Sequence, residues 1–542
     1  MKRFRLLVAL FALQASVVRA DPPVPVDAGL LPVPKASPDE PPQRRETEPS
    51  SPPKVQKKPK GRPHPTRLPP PNRPVRDERD EADEEDEDKL ENLLDPLPNV
   101  DPAPELSPLP ELEPAVSQFI ETLPQSVQDT AASVASSMTK SRRPPERFLR
   151  SIFGLPRGRF GTGTAWLPDE SPLLASVPHF GNWGLLLHGT VYAGYDYYSS
   201  KRGGRRFFGR NTLMGSLFRT FEHSEWLFRA ALSLEPLTIG TRGYPQVLQS
   251  GQQADGDRVH DQMYALDFFR ELAATYSWEV TRNWAAMFYA ALAGDPAVGP
   301  VTFTQRISAS PDPLAPLGFV AQENSHTSFG VLTVGAFTRT MKFEASWFNG
   351  SLPGDHKFTI AIRRPDSYAV RASWNPFSWL STQVSYAFLG SPSRHDPGRS
   401  DHRFTSSATY TRWRPNDSGL AATLSFAEHV SNRNDLNTSL MAETYWNIDG
   451  HNAVYGRLDL LQKSGAELVL PEPTTELFAI GAVGAGYIYY FSPLITLTPG
   501  LGVRGSVNLM EDDLARFYGG QAAYGVMAYM QLRTTALPLG GT

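Results

Sequence analysis

From about residue 182 to the end, apolar and polar residues alternate at every second position, in blocks separated by turn-forming residues. Within 367–374, Tyr368, Val370, Ala372 and Trp374 share one side, while Ser367, Ala369, Arg371 and Ser373 share the other. Within 341–348, Phe343, Ala345 and Trp347 oppose Lys342, Glu344 and Ser346. Within 453–460, Val454, Gly456, Leu458 and Leu460 oppose Tyr455, Arg457 and Asp459. A period of two gives each segment one apolar and one polar face. Read through to the end, the alternation predicts about 16 strands, each close to the roughly 9–11 residues of a tilted strand crossing a bilayer. The first is expected at 182–197, the second at 210–220, the eleventh at 419–428 and the last at 519–533.

The spacing between blocks alternates too. Turns near 281, 340, 376, 415, 449 and 491 are short, whereas the gaps 236–264, 293–325, 350–365, 390–400, 462–474 and 507–518 are long. An antiparallel barrel threaded through a membrane produces this parity, with tight turns on one side and large loops on the other. Trp284, Trp347, Trp374, Phe404, Tyr410, Trp446 and Tyr487 sit near ends of the apolar faces, where amphipathic rings favour the headgroup level. Lipid offers the backbone no hydrogen-bond partners, so a closed ladder is the strand arrangement it tolerates. The fold class expected is all-β: an antiparallel transmembrane barrel over 182–533.

A barrel of this size is expected to enclose a wet lumen rather than a side-chain core. Its polar face supplies candidate pore-lining residues of both signs: His188, Asp196, Glu271, Lys342, Glu344, Arg371, Arg403, Glu443, Arg457, Asp459 and Arg504, with Tyr192 among them. Each alone suits a hydrated wall. Together, opposed charges can filter solutes by charge and size.

Composition adds location. Lys2, Arg3 and Arg5 precede an apolar run at 6–13, and Val18 and Ala20 suit a cleavage site, so 1–20 reads as an export signal. The chain has no cysteine, which excludes disulfides and thiolate metal sites. Its net charge of −4 gives no reason to expect a nucleic-acid partner. Residues 21–140 are proline-rich, carry a basic block (Lys57, Lys58, Lys60, Arg62) and then an acidic one (77–88), and hold too little apolar surface to form a core. This stretch reads as a disordered periplasmic arm with short helices within 111–140, suited to contacting peptidoglycan. Residues 141–181 form a linker or a plug, and 534–542 a tail.

The loops carry three further candidates. Lys201, Arg202, Arg205 and Arg206 make the first outer loop basic, which suits lipopolysaccharide phosphates. Asp255-Gly-Asp-Arg-Val-His-Asp261 places oxygen ligands at alternate positions, as Ca²⁺ would want, but lacks the full EF-hand pattern, and a simple Asp-Gly turn is the cheaper explanation. The loop 293–325 holds Pro296, Pro300, Pro311, Pro313 and Pro316, and a loop this stiff can fold inward and narrow a pore. No GxSxG elbow or HExxH helix appears, and His188, His326 and His451 lack a nucleophile motif beside them, so an enzyme is not expected.

Several loop stretches resemble an uncharacterised family of Gram-negative outer-membrane barrels: Gly161-Thr-Gly-Thr-Ala-Trp-Leu-Pro168, Leu234-Glu-Pro-Leu-Thr238, Gly243-Tyr-Pro245, Ala254-Asp-Gly256, His260-Asp261, Asp295-Pro-Ala-Val-Gly-Pro300, Ala315-Pro316 and His326-Thr-Ser-Phe-Gly330. The resemblance spans about residues 160–533 and implies a porin-like barrel. It also implies histidines in these loops that form a metal-binding surface. Here Tyr264, Leu266, Gln305, Phe319 and Val320 stand at those places, leaving His260 and His326 as the metal candidates. The expectation is therefore a porin-like channel for passive passage of small solutes, without a cofactor, embedded in outer-membrane lipid and lipopolysaccharide, and a homotrimer by analogy with other porins. The alternatives are a structural anchor holding the cell wall through its arm, and a metal binder acting through its loops.

Overall fold

The structure is a computed structural model that describes residues 144–537, apart from 241–242, 255–256, 324–326, 352, 354–355, 391, 393–397, 433–435, 472–475 and 495. The export signal, the arm at 21–140 with its helices, His326, the Asp255-Gly256 turn and the end of the tail lie outside the described residues.

Sixteen antiparallel strands close into one barrel. They are β1 (Trp183–Ser199), β2 (Gly204–Thr220), β3 (Ser224–Leu232), β4 (Phe269–Glu279), β5 (Ala285–Gly294), β6 (Ser328–Phe337), β7 (Met341–Phe348) and β8 (Ser367–Phe377), followed by β9 (Leu380–Leu389), β10 (Asp401–Trp413), β11 (Gly419–Ser431), β12 (Leu436–Asn447), β13 (Asn452–Ser464), β14 (Leu477–Tyr490), β15 (Leu497–Met510) and β16 (Ala522–Thr534). Each strand pairs with its neighbours in sequence, and β16 closes the cylinder on β1 from Tyr524↔Ser199 to Arg533↔Thr190. No described helix is long and apolar enough to cross a membrane.

The alternation read from the sequence is the alternation observed. Along β7 every second residue is exposed, and Phe343 and Trp347 are about half exposed while Lys342 and Glu344 are buried. Trp284, Trp374, Trp446 and Tyr487 likewise face outward. The outer wall is thus apolar and the inner face polar, the arrangement a barrel needs in lipid. Local chemistry sets the short turns. Between β12 and β13, Gly450 takes φ +91°, and the Asp449 carboxylate accepts the backbone N–H groups of His451 (2.9 Å) and Asn452 (2.6 Å). Those donors hold the Asp449 carboxyl down to about 2. In β8, Pro376 removes a ladder donor, and the register with β9 shifts between Trp374 and Phe377.

Three expectations about the connections are corrected. The basic stretch after β1 is not a long loop: β1 and β2 extend to within 200–203 of each other, and Arg205 and Arg206 belong to β2. β11 runs on to Ser431, so its link to β12 is short as well. The long stretch after β3 is itself structured, with a hairpin of Tyr244–Ala254 against Asp257–Met263.

The lumen differs most from expectation. It is not simply wet, because three chain segments fill much of it. A cork, residues 144–178, lies across the end that carries the short turns. An insert, residues 295–323, crosses the middle. The Tyr244–Met263 hairpin covers the opposite mouth. Cork and insert touch through backbone: Gly163 sits at φ +55°, and a Cβ there would meet the Asp295 carbonyl oxygen at 2.7 Å. The apolar residues that these segments bring inward, among them Ile152, Trp166, Phe303, Leu314 and Phe319, pack with inward-facing wall residues such as Phe337, Tyr192 and Tyr455.

Candidate channel interior

The candidate wall residues all lie on the inner face, and most of them hold an inserted segment rather than open water. Towards the short-turn end they grip the cork. The Lys342 ammonium donates to the Thr164 carbonyl, lies 4.6 Å from the Trp166 ring centre, and pairs with Glu344 at 3.3 Å. Arg371 pairs with Glu344 at 3.0 Å and donates to the Thr164 hydroxyl at 2.9 Å. Glu271 accepts from the Tyr289 hydroxyl at 3.1 Å, pairs with Arg229 at 3.3 Å, and faces the Gly163 N–H. His188 Nδ1 lies 2.6 Å from the Leu174 carbonyl oxygen, so that nitrogen carries the proton.

At the middle of the barrel the wall holds the insert. Arg306 of the insert pairs with Glu443 of β12 at 2.5 Å and with its own neighbour Glu323 at 2.9 Å, and donates to the Val301 carbonyl at 2.8 Å. Glu443 also accepts from Ser308 at 2.7 Å and from Arg457 at 3.1 Å. Arg457 continues to Asp312 of the insert at 3.2 Å, and Arg504 meets the same carboxylate at 3.0 Å. Arg403 donates to the Val320 carbonyl at 2.8 Å. Tyr192 and Tyr529 donate to the carbonyls of Ser310 and Pro311 at 2.5 and 2.7 Å. The insert is therefore held from nearly every side of the barrel. Asp459 and Asp196 are buried on the same face, and both Asp196 carboxylate oxygens lack a hydrogen-bond partner among the described residues.

One guanidinium, Arg306, serves two carboxylates. Burial pushes Glu323 up to about 7, against the pull of Arg306 and with further help from Glu443. Arg306 itself is held above its ordinary value by the two carboxylates, which outweigh its burial. Arg306 and Glu323 are both about 1 % exposed, so removing either partner strands a charge in a dry place.

The residues that the sequence reading missed belong to the inserts. Arg306, Asp312 and Glu323 are charges of the insert, and Arg157 (paired with Glu225 at 2.8 Å) and Arg159 (donating to the Arg339 carbonyl at 2.6 Å) anchor the cork. The signal was present in the density of large apolar residues inside segments read as loop: Phe303, Ile307, Leu314 and Phe319. Cavities are left between these segments and the wall. One, about 120 Å³, lies between cork and wall beside Met214, Phe218 and Arg533. Another, about 150 Å³, lies under the hairpin beside Arg403 and Lys463.

The loop histidine His260 is engaged through one ring nitrogen. His260 Nδ1 lies 2.6 Å from an Arg202 guanidinium nitrogen and 2.8 Å from Asp261, whose other oxygen accepts the Leu248 N–H. A cation already occupies that side of the ring. Among the described residues no group of three or more His, Asp or Glu side chains is placed to hold a metal ion.

Against this geometry stand the comparisons with known proteins. No family model matches the sequence, and no curated protein matches it. Solved structures do. OmpF of Salmonella typhi, solved in complex with daunomycin, shares 11 % identity at a TM-score of 0.42, covering 66 % of this chain and 100 % of its own. An anion-selective porin from Comamonas acidovorans shares 10 % identity at 0.41, covering 65 % and 99 %. OprB of Pseudomonas putida shares 9 % identity at 0.41, covering 65 % and 94 %.

Proposed function

We propose that this protein is an outer-membrane channel for small solutes whose route is closed at rest by the cork and the insert. The observation that supports this most directly is how the insert is fastened. It is held by ion pairs and hydrogen bonds from many points of the inner face, alongside the packing of Phe303, Leu314 and Phe319, so its seating depends on a set of separately breakable polar clasps. Both termini of the barrel lie at the short-turn end, which supports a periplasmic side for that end. The apolar outer wall implies lipid as the neighbour, with lipopolysaccharide at the outer rim, and leaves room for a homotrimer. Planar-bilayer recordings on the full chain test the reading: discrete current steps, rare at rest and more frequent in moderate urea, are expected.

The burial of the cork favours a second reading, a structural anchor whose arm reaches the cell wall. Arg157, Arg159, Trp166 and the Lys342 clasp bind the cork firmly to the barrel. A folded protein that never conducts, and that retains peptidoglycan only when residues 21–140 are present, belongs to that reading.

A further inference from the structure

The ladder between β12 and β13 stops short. Its last pair towards the outer end is Ser439↔Leu461, although β12 continues pairing with β11 to Leu436 and β13 continues pairing with β14 to Ser464. Residues 436–438 and 462–464 therefore belong to two flaps of wall that have parted from each other. The Gln462 side chain spans the fork, accepting the Thr438 backbone N–H at 3.4 Å and its hydroxyl at 3.1 Å. In lipid an unzipped ladder is costly, because nothing else there can satisfy the backbone.

The fork joins two dissimilar hollows. Outside is an open groove of about 510 Å³, floored by Phe426, Leu440, Leu460, Ala479, Gly481 and Leu509, with Glu511 at its upper rim. Inside is the cavity of about 150 Å³ under the hairpin. Both hollows are lined by Thr438, Ser439, Leu461 and Gln462. The inner one is basic. Arg258, Arg399, Arg403 and Lys463 face Asp401 and Glu467, with His429 beside them. Arg399 and His429 are engaged with Asp401 at 2.9 and 3.1 Å. Glu467 accepts the Ser464 N–H at 2.9 Å. Among the described residues the other three cations donate to neutral acceptors: Arg403 to the Val320 carbonyl, Lys463 to the Leu248 carbonyl and the Ser250 hydroxyl, and Arg258 to the Ala466 carbonyl. Arg403 is 5 % exposed, and its Nε has no hydrogen-bond partner among the described residues.

We propose that the β12–β13 fork is a lateral docking site for a membrane amphiphile, its hydrocarbon tail in the outer groove and its anionic head, carboxylate or phosphate, turned through the fork onto Arg403 and Lys463. This rests on the barrel lying in lipid. Charge complementarity selects the head, because three cations of the inner pocket, Arg258, Arg403 and Lys463, donate to neutral acceptors among the described residues. The groove selects the tail, because it opens on the apolar belt. A head seated on Arg403 also touches the residue that holds Val320, so occupancy bears on the insert.

The test uses the full chain in nanodiscs of zwitterionic lipid, probed with a fluorescent twelve-carbon carboxylate, the alcohol of the same chain length and inorganic phosphate. Saturable binding of the carboxylate is expected, with Arg403→Gln and Lys463→Gln each weakening it about tenfold, as losing a charge-assisted hydrogen bond does. The alcohol and phosphate are expected to bind far more weakly, the one lacking a charge and the other a tail. Because the chain lacks cysteine, Thr438→Cys with Gln462→Cys allows the fork to be stapled with a short bismaleimide, and stapling is expected to abolish binding. Phosphate binding as tightly as the carboxylate, or binding that survives the staple, would overturn the lateral route. So would absence of binding by a barrel that still shows its heat-modifiable gel shift. Loss of that shift would instead count against the membrane barrel itself.

Discussion

Replacing Arg306 with methionine tests the clasp between insert and wall. Arg306 is about 1 % exposed and makes two ion pairs, at 2.5 Å to Glu443 and 2.9 Å to Glu323. Without its guanidinium, Glu443 keeps Arg457 and Ser308, but Glu323 has no cation left within reach among the described residues. Breaking one side of a buried pair costs about 3–5 kcal/mol. That cost falls on the closed arrangement alone, since an extruded insert is hydrated either way. The ratio of open to closed barrels should rise by roughly a hundred- to a few-thousand-fold. Single-channel recording reads this as long-lived current steps, with the heat-modifiable gel shift confirming an intact barrel. Substituting Glu323→Leu in the same chain removes the stranded charge, and replacing a buried pair by apolar residues is often close to neutral. The double variant should therefore close again. A folded Arg306→Met barrel that is as silent as its parent would refute the clasp, and a double variant as open as the single would show that lost bulk, not charge, had loosened the insert.

Other perturbations reach separate parts of the argument. Glu323 titrates near 7 when folded against an ordinary value of 4.5, so the seated insert takes up a proton that the free insert does not; its stabilisation is fully present below the ordinary range and is lost as pH rises through about 7. Amide-exchange protection across residues 296–323 should fall between pH 5 and pH 8, by at most about 3 kcal/mol, and Glu323→Gln should flatten the profile; equal protection at both pH values contradicts it. Trp166→Ala removes a buried ring that packs on Phe337 and beneath Lys342, at a cost of about 3–5 kcal/mol, and should make the cork cleavable by trypsin between Arg147 and Arg159 while the barrel survives. Val483, about half exposed near the middle of β14, faces lipid, and Val483→Arg should lower folding stability in liposomes by about 2–4 kcal/mol in a urea titration; an unchanged midpoint would place that face in water.

The barrel was legible because its rule is local. Each strand must show lipid one face and the lumen another, so Lys342, Glu344 and Arg371 could be assigned inward from parity alone. Strand ends were less legible, because β1 and β2 run past the bilayer thickness, and the aromatic pair Tyr195–Phe207 holds the hairpin well above the point where alternation suggested a loop. The lumen's contents were hardest to read. Parity says which way Glu443 points but not what it meets. Its partner Arg306 lies 137 residues earlier in a proline-rich stretch without periodicity, so nothing local marks the pairing. The stiffness of 293–325 was read correctly as a reason to fold inward. The aromatic and aliphatic residues between its prolines were the unread sign that it would be packed there.

The short pairing of Leu173–Leu174 with Ala536–Leu537 joins the cork to the residues just beyond the final strand. The cork is among the earlier parts of the chain to emerge during synthesis, yet its latch is among the last. It can seat only in a cylinder whose closing seam, β16 on β1, has already formed. A chain truncated before that seam would leave its cork unseated and open to proteases, so a seated cork certifies that the whole barrel was finished.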